Sequence, residues 1–214
     1  MAAVPTGTLF SVATTFGSNI TVTAVTNANP AVCTATAHGL SNGDVIEVTS
    51  GWGRLNKRVF HVAGVTTNTF ELEGMDTSST SFFPAGTGTG TVREVTAWTQ
   101  LTKVMNPSTQ GGDPKTVTYK FVESDVEYSI NDGFTATSYT LEFDDDDTTA
   151  GYTAMRTLTD AQTNTVMKML MRSGAVVYLP CTLAMNDVPR LQDGQINRIS
   201  AQFAGVNRHT RYSA

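Results

Sequence analysis

The sequence predicts a mainly β protein: a β-sandwich or barrel flanked by one short α-helix, together with a small all-β module. Threonine, a β-branched residue that suits strands with one solvated face, accounts for 36 of the 214 residues. Hydrophobic residues make up 40% of the chain, enough to build a packed core. Turn residues separate the apolar segments about every ten positions, which is typical of an all-β protein.

The first half of the chain predicts the small β-module. A β-rich segment with a break at residues 17–19 comes first, and Ile20 and Val22 alternate there with threonines as in a half-buried strand. Further strands are predicted, in chain order, over residues 32–37, 45–48, 59–63 and 70–73. No helix and no Lys-Ser/Thr follows the Gly-Thr alternation at 86–90, so it predicts the entry to a strand and not a phosphate-binding loop. We place the first domain at residues 1–91.

The second domain is predicted at residues 92–214. Its first four strands are predicted, in chain order, over residues 92–104, 116–122, 126–130 and 134–143. The turn-rich segment 105–115 predicts the loop of a long hairpin between the first two of these strands. The sequence Asn131-Asp132-Gly133 predicts a tight hairpin turn between the last two.

One helix is predicted, over about residues 149–161. Tyr152, Met155 and Leu158 recur every three residues there, and Asp and Thr residues precede the start as N-caps. The rest of the chain predicts a helix or a strand over 165–171, a hairpin at Ser173-Gly174, a strand over 175–185, a last strand over 196–206 and a loose basic tail over 207–214.

Composition and charge argue against several classes of protein. The net charge of −5 and the pI of about 5.1 argue against a protein that neutralises nucleic-acid phosphates. No apolar run approaches the roughly 20 residues of a membrane span, and the first residues predict no secretory signal. Cys33 and Cys181 lie far apart in the sequence and predict two free thiols.

Charge is unevenly distributed along the chain. The net charge is −2 over residues 1–100, −7 over 101–150 and +4 over 151–214. Opposite charges of this kind predict either complementary surfaces on neighbouring copies or two solvated faces of one monomer.

No motif in the sequence indicates catalysis, a cofactor or a metal ion. The three histidines are scattered, and the run Asp144–Asp147 lacks the alternating pattern of a calcium loop. Trp52 and Trp98 are interpreted as core anchors in preference to sugar-stacking platforms. We therefore expect a structural or binding protein, not an enzyme, and no cofactor.

Two segments of the sequence resemble a known protein family. The turn HGLSNGD and the strand phrase RVFHVAGVTTNTFELEG, with the segment around them, resemble the front half of major tail tube proteins of long non-contractile-tailed (siphophage-type) bacteriophages. Residues 92–214 resemble the tube-forming core of that family in the order of their elements. The resemblance implies a tail-tube fold with an extra N-terminal β-module.

The resemblance also implies a mechanical function. Such proteins form hexameric rings that stack head to tail into a hollow tube, through which DNA passes into the host. Inner strands of six copies join into one barrel, which closes the sheet edges. An acidic lumen would repel DNA, and the candidates to line it are Glu123, Asp125, Glu127 and Glu142.

Site residues follow from the resemblance by position alone. The ring-stacking loop is assigned to Asn106, Pro107, Gly111, Gly112 and Asp113. Contacts between subunits by charge are assigned to Asp144, Asp145, Asp146, Asp147, Arg208 and Arg211.

The partners implied by the resemblance are other copies of the chain, a tape-measure protein inside the tube, and tail terminator and distal tail proteins. DNA is a partner only in transit, without specific binding, and no membrane partner is implied. The implied location is the virion tail, after assembly in the bacterial cytoplasm.

Three other functions compete with this interpretation. The chain is alternatively a tube protein of a related bacterial injection machine, or a carbohydrate-binding or adhesin module of a phage tail tip. The adhesin hypothesis requires exposed aromatic residues, and a surface-exposed Trp52 would support it. A hydrolase that uses Asp144–Asp147 is the remaining alternative.

Overall fold

The structure is a computed structural model and describes residues 6–214. Strands account for 50% of the residues, which confirms the mainly β prediction. Fourteen strands form an antiparallel sheet that curls into a half-barrel, and two further strands form a separate hairpin. The elements are β1 (Leu9–Phe16), β2 (Ile20–Val22), β3 (Ala24–Val25), β4 (Ala31–Thr34), β5 (Val45–Ser50), β6 (Val59–Ala63), β7 (Thr69–Leu72), β8 (Gly90–Leu101), β9 (Val104–Gln110), β10 (Pro114–Tyr119), β11 (Tyr128–Phe134), β12 (Ser138–Asp144), α1 (Ala150–Ala161), β13 (Asn164–Leu170), β14 (Val176–Arg190), β15 (Arg198–Gly205) and β16 (Thr210–Tyr212).

The predicted strands of the first half are confirmed as β1 to β7. Strands β2 to β7 and the first half of β8 surround an N-terminal core cluster of buried residues that includes Trp52, which is 2% exposed. The Trp52 indole nitrogen donates to the Pro84 carbonyl at 2.8 Å and to the Thr87 hydroxyl at 3.0 Å. A Cβ on Gly88 would lie 2.8 Å from the indole, so the strand entry requires glycine there. Trp52 is therefore a core anchor, as predicted.

Strand β8 belongs to both halves of the chain. It pairs with β2 and β5 near its start and with β1 near its end, and β1 also pairs with β13. A connecting cluster lies beside this strand and consists of Ala13, Val59, Val95, Val166 and Tyr178. Because β8 is continuous across residues 91 and 92, the division into domains 1–91 and 92–214 stays a prediction. Residues 1–5 of the first domain, where no secretory signal is predicted, lie outside the described residues.

The predicted helix is confirmed as α1. Thr149 is its N-cap, and the Thr149 hydroxyl accepts from the Tyr152 N–H at 3.2 Å. Met155 is buried in a C-terminal core cluster, which consists of apolar side chains from β1, the end of β8, α1 and β12 to β15. Tyr152 and Leu158 pack against this cluster. The apolar face read from the sequence is therefore the face that covers the sheet.

The ambiguous segment 165–171 is strand β13. It lies between β1 and β14, so both of its edges are hydrogen-bonded, and Met167 and Met169 are buried in the core. The predicted hairpin at Ser173-Gly174 is confirmed, and Gly174 adopts a positive φ of 87°. The predicted last strand is confirmed as β15. Cys33 and Cys181 are buried free thiols, as predicted, and burial raises the pKa of both to about 12.

The predicted loop over residues 105–115 is wrong for residues 105–110, which belong to β9, and for residues 114–115, which begin β10. Asn106 and Pro107 together lie opposite Leu141 of β12, so they form a β-bulge inside the strand. Asn106 has a φ of 45°, a left-handed conformation that asparagine tolerates better than most residues. The chain turns only at Gly111 and Gly112, whose φ values are 77° and 81°.

The tight turn predicted at Asn131-Asp132-Gly133 is also wrong. These residues lie within β11, where Asp132 is the extra residue of a bulge between the pairs Lys115–Gly133 and Thr116–Asn131. The hairpin turns at residues 120–127 instead. Strand β10 pairs with β11 and not with β8, so the long hairpin predicted between 92–104 and 116–122 does not form.

The basic tail is not loose as predicted. Thr210–Tyr212 form β16, which pairs with the start of β14. The Tyr212 hydroxyl accepts from the His61 N–H at 2.9 Å and donates to the Glu73 carbonyl at 3.2 Å. The Tyr212 and His61 rings stack with centroids 4.1 Å apart. The tail thus fixes the first half of the chain against the second.

Candidate assembly surfaces

One face of the sheet formed by β14, β15, β12 and β9 is polar. Residues of these strands alternate, so that Leu141 and Phe143 enter the C-terminal core cluster while Thr140 and Glu142 lie on the opposite face. Strand β15 repeats the pattern, with buried Ile199, Ala201 and Phe203 and with Ser200 and Gln202 facing the other way. The face away from the core therefore carries mainly hydroxyl and amide groups.

A single carboxylate links all four strands on this polar face. Arg190 of β14 and Arg198 of β15 each donate to Glu142 of β12 at 3.2 Å, and the Asn106 amide of β9 donates to it at 2.8 Å. The hydrogen bond from Asn106 and the two guanidinium groups lower the pKa of Glu142. Two cations thus surround the one acidic lumen candidate on this face, while Glu123, Asp125 and Glu127 lie in the turn of the β10–β11 hairpin.

The four-stranded sheet has two open edges. Strand β9 is the last strand of the sheet, and nothing in residues 6–214 pairs with its outer side. Strand β14 pairs with β13 only as far as Thr182, so Asn186–Arg190 has a strand neighbour on one side alone. Both edges contain a proline, Pro107 or Pro189, and proline in a sheet is confined to edges and bulges.

The β10–β11 hairpin has an exposed apolar face. Val117 pairs with Ile130 and Tyr119 with Tyr128, and directly paired residues lie on the same face of a hairpin. The Phe121 ring packs 5.3 Å from that of Tyr119, and all five side chains are exposed. An isolated two-stranded hairpin is at best marginally stable in water, and a cluster of exposed apolar residues marks an interaction surface.

The structure separates the residues assigned to the ring-stacking loop. Asn106 and Pro107 lie in edge strand β9, whereas Gly111, Gly112 and Asp113 form the connection at the base of the β10–β11 hairpin. Their role in stacking stays a prediction.

The predicted charge contacts do not pair with one another within residues 6–214. Lys103 binds Asp144 at 3.1 Å and Asp146 at 2.7 Å, and with the hydrogen bonds from Thr148 it lowers the pKa of Asp146 to about 2. The remaining members of the set, Asp145, Asp147, Arg208 and Arg211, form no ion pair within the described chain.

Sequence reasoning did not find that β10 pairs with β11 into one exposed apolar face, and it missed the open edges. The signal for the face was present, because Val117, Tyr119 and Phe121 alternate and so do Val126, Tyr128 and Ile130. The assignment of a turn to residues 131–133 hid the pairing of these two runs.

Several features bear on the alternative functions. Trp52 is buried and so gives the adhesin hypothesis no support. Residues 6–214 hold no cluster of three or more His, Cys, Asp or Glu side chains suited to a metal ion. Within the same residues, no helix has the length and apolar character needed to cross a bilayer.

Comparison with known proteins gives one family. Residues 50–214 match the family model described as "Phage tail tube protein, TTP", and the match covers most of the chain. A comparison with curated proteins gives no match. The extra N-terminal module implied by the resemblance is only partly inside the matched range and stays a prediction. The chain therefore belongs to the phage tail tube protein family and has a structural role in the virion tail.

Proposed function

We propose that copies of this chain join edge to edge into a ring of six, and that rings stack into a hollow tail tube. The observation that carries the proposal is the pair of open edges on the four-stranded sheet, β9 on one side and Asn186–Arg190 of β14 on the other. Pairing β9 of one copy with this end of β14 in the next would continue the sheet around a ring and leave neither of these two edges free.

In this arrangement the polar face of the sheet lines the lumen. Its hydroxyl and amide groups offer no apolar patch to a passing molecule, and the two arginines that bind Glu142 outnumber it, so this cluster is cationic and not acidic. Because uncharged polar groups make up most of the face, DNA would pass without specific binding. A tape-measure protein inside the tube, and terminator and distal proteins at its ends, are the further partners of this proposal.

The β10–β11 hairpin supplies the contact between rings. Its apolar face has no partner within residues 6–214, and docking on a neighbouring ring would bury it. Such a protein needs no catalytic group, and we place its assembly in the bacterial cytoplasm before the virion is complete.

The test replaces the hairpin and leaves the sheet intact. Gln110 of β9 pairs with Ser138 of β12, so residues 111–137 can be replaced by an Asn-Gly turn that joins the two strands directly. We expect a folded variant that forms six-membered rings or smaller species but no tubes under conditions where the unaltered protein forms tubes, as seen by negative-stain electron microscopy.

Two outcomes would overturn the proposal. Tubes of normal length from the hairpin replacement would remove the hairpin from the interface between rings. Failure of the unaltered protein to form rings or tubes at high concentration, even with a tail initiator complex added, would contradict the assembly itself. Deletion of residues 107–113 is a poorer test, because it cuts into strand β9.

A further inference from the structure

An open cavity of about 520 Å³ lies where three parts of the chain meet. Several residues between positions 54 and 83 of the first half of the chain line it. The base of the β10–β11 hairpin contributes Phe134, and the tail contributes Arg208. Arg54 covers the Phe82 ring at 3.5 Å, and Arg208 covers the Phe134 ring at 4.7 Å. We call this site the arginine cavity. Its walls combine guanidinium groups with exposed aromatic rings.

The positive charge of the arginine cavity is not neutralised within the described chain. Arg54, Arg58 and Arg208 line it, and none of them forms an ion pair with a group in residues 6–214. The one carboxylate in the lining, Asp76, accepts from the Ser78 N–H at 2.8 Å. Three cations thus face one anion.

Arg58 shows the imbalance most clearly. Its terminal nitrogens donate to the Met75 sulfur and the Thr210 hydroxyl, both at 3.3 Å, but its buried Nε has no acceptor. Burial and the nearby Arg208 lower the pKa of Arg58, and burial and the same arginine lower that of His209. A carboxylate placed in the cavity would pair with the exposed guanidinium groups of Arg54 and Arg208 and offset the repulsion among the three arginines.

The tip of the β10–β11 hairpin, residues 120–127, has the complementary chemistry. Glu123, Asp125 and Glu127 are exposed there, form no ion pair within residues 6–214 and outnumber the one cation, Lys120. Val122 and Val126 beside them are exposed apolar residues that match the aromatic walls of the cavity. By contrast, the other acidic segment, Asp144–Asp147, already binds Lys103 through two of its carboxylates.

We propose that the acidic hairpin tip of one copy docks in the arginine cavity of a second copy. The tip cannot reach the cavity of its own chain, because the cavity lies at the base of the hairpin and six paired residues at roughly 3.3 Å each hold the tip about 20 Å away. The occupant is therefore another subunit. This inference rests on the proposed function and names the surface that receives the contact between rings.

The first test is a disulfide cross-link between two variants. Ser79 lines the cavity and Asp125 lies in the tip; both are exposed, and the native thiols of Cys33 and Cys181 are fully buried. When Ser79→Cys and Asp125→Cys proteins are mixed under assembly conditions and mildly oxidised, we expect a covalent dimer on a non-reducing gel. The matched control replaces Asp125→Cys by Ser18→Cys, an exposed position in the turn after β1.

We expect the tip variant to cross-link at least about tenfold more than the control, since opposite charges fix the register of an interface. Equal cross-linking by the two mixtures would overturn the docking site.

The second test exchanges the charges. Glu123→Lys with Asp125→Lys should reduce the pelleted tube fraction at least about tenfold, and so should Arg54→Glu with Arg208→Glu. All four substituted positions are exposed, so the fold should survive. The chain that carries all four changes should recover tubes.

Loss of tubes in both pairs without recovery in the combined chain would overturn this docking site and leave the proposed function intact. Absence of tubes from the unaltered protein would instead contradict the proposed function.

Discussion

The N-terminal core cluster and the β10–β11 hairpin use the same kinds of residue in opposite ways. Around Trp52, aromatic and β-branched side chains from several strands cover one another and are buried. In the hairpin, Tyr119, Tyr128 and Ile130 form an equally apolar face that is exposed in the single chain. The composition of the two regions is alike, and what differs is the number of layers packed against them.

Because of this difference, the N-terminal core cluster should determine the stability of the single chain, and the hairpin face should determine the association of copies. Burial in the N-terminal core cluster stabilises the fold of one copy, whereas the hairpin face can gain the same free energy only when a second copy covers it. Substitutions in the two regions should therefore affect different measurements.

The largest effect is expected in the core. Trp52→Ala removes a buried indole with two hydrogen bonds and should lower the free energy of unfolding by about 3–5 kcal/mol, measured by urea denaturation. Trp98→Phe, at a half-buried position, is the matched control and should cost about 1 kcal/mol. Equal losses from the two variants would mean that Trp52 does not anchor the first half of the chain.

An intermediate effect is expected at the polar face. Glu142→Gln weakens the links among the four strands and should cost about 1 kcal/mol at neutral pH, because the carboxylate is partly exposed to solvent. The native pKa of Glu142 is lowered, so its contribution is present above the unfolded value of about 4.3 and is lost as the pH falls through the native pKa. The stability difference between the two proteins should therefore shrink in acid, and a constant difference from pH 7 to pH 3 would contradict the role of charge.

The smallest effect on stability is expected in the hairpin. Tyr119→Ser with Ile130→Ser should change the free energy of unfolding by less than about 0.5 kcal/mol, since both side chains are exposed. The same variant should sediment as a smaller species than the unaltered protein, because it lacks the apolar face. The control is Thr118→Ser with Ser129→Thr on the opposite face, which should leave both measurements unchanged.

Much of the fold could be predicted from the sequence, because alternation and helix caps are local signals. Helix α1 shows this: the N-cap Thr149 marks where it begins, and the three-residue spacing of apolar side chains identifies the buried face with Met155. The errors arose where a turn signal marks a bulge. Asn106-Pro107 and Asp132-Gly133 both favour the backbone conformations of a turn. In each case, however, the residues before and after them pair with the same neighbouring strand, so that they form a β-bulge within the sheet.

The candidate surfaces were harder to predict, because they depend on contacts distant in the sequence. The tail has no strong strand pattern, yet Tyr212 is fixed by His61 and Glu73, which lie more than 130 residues away. Likewise, Arg54 and Arg208 line one cavity because the tail packs against the first half of the chain. Local periodicity carries no information on such pairings.

The path of the chain at strand β1 has a consequence for modularity. Phe16 pairs with Val95, and the Gly17 N–H donates to the Glu94 carbonyl at 2.8 Å, so the segment 17–94 begins and ends at adjacent positions of the sheet. This whole segment, with strands β2 to β7 and their own buried core cluster, occupies the place of a hairpin turn. A shorter or longer segment between Phe16 and Val95 should therefore leave the strands on either side in the same register. If copies of the chain assemble as proposed, the segment 17–94 is presented once per copy.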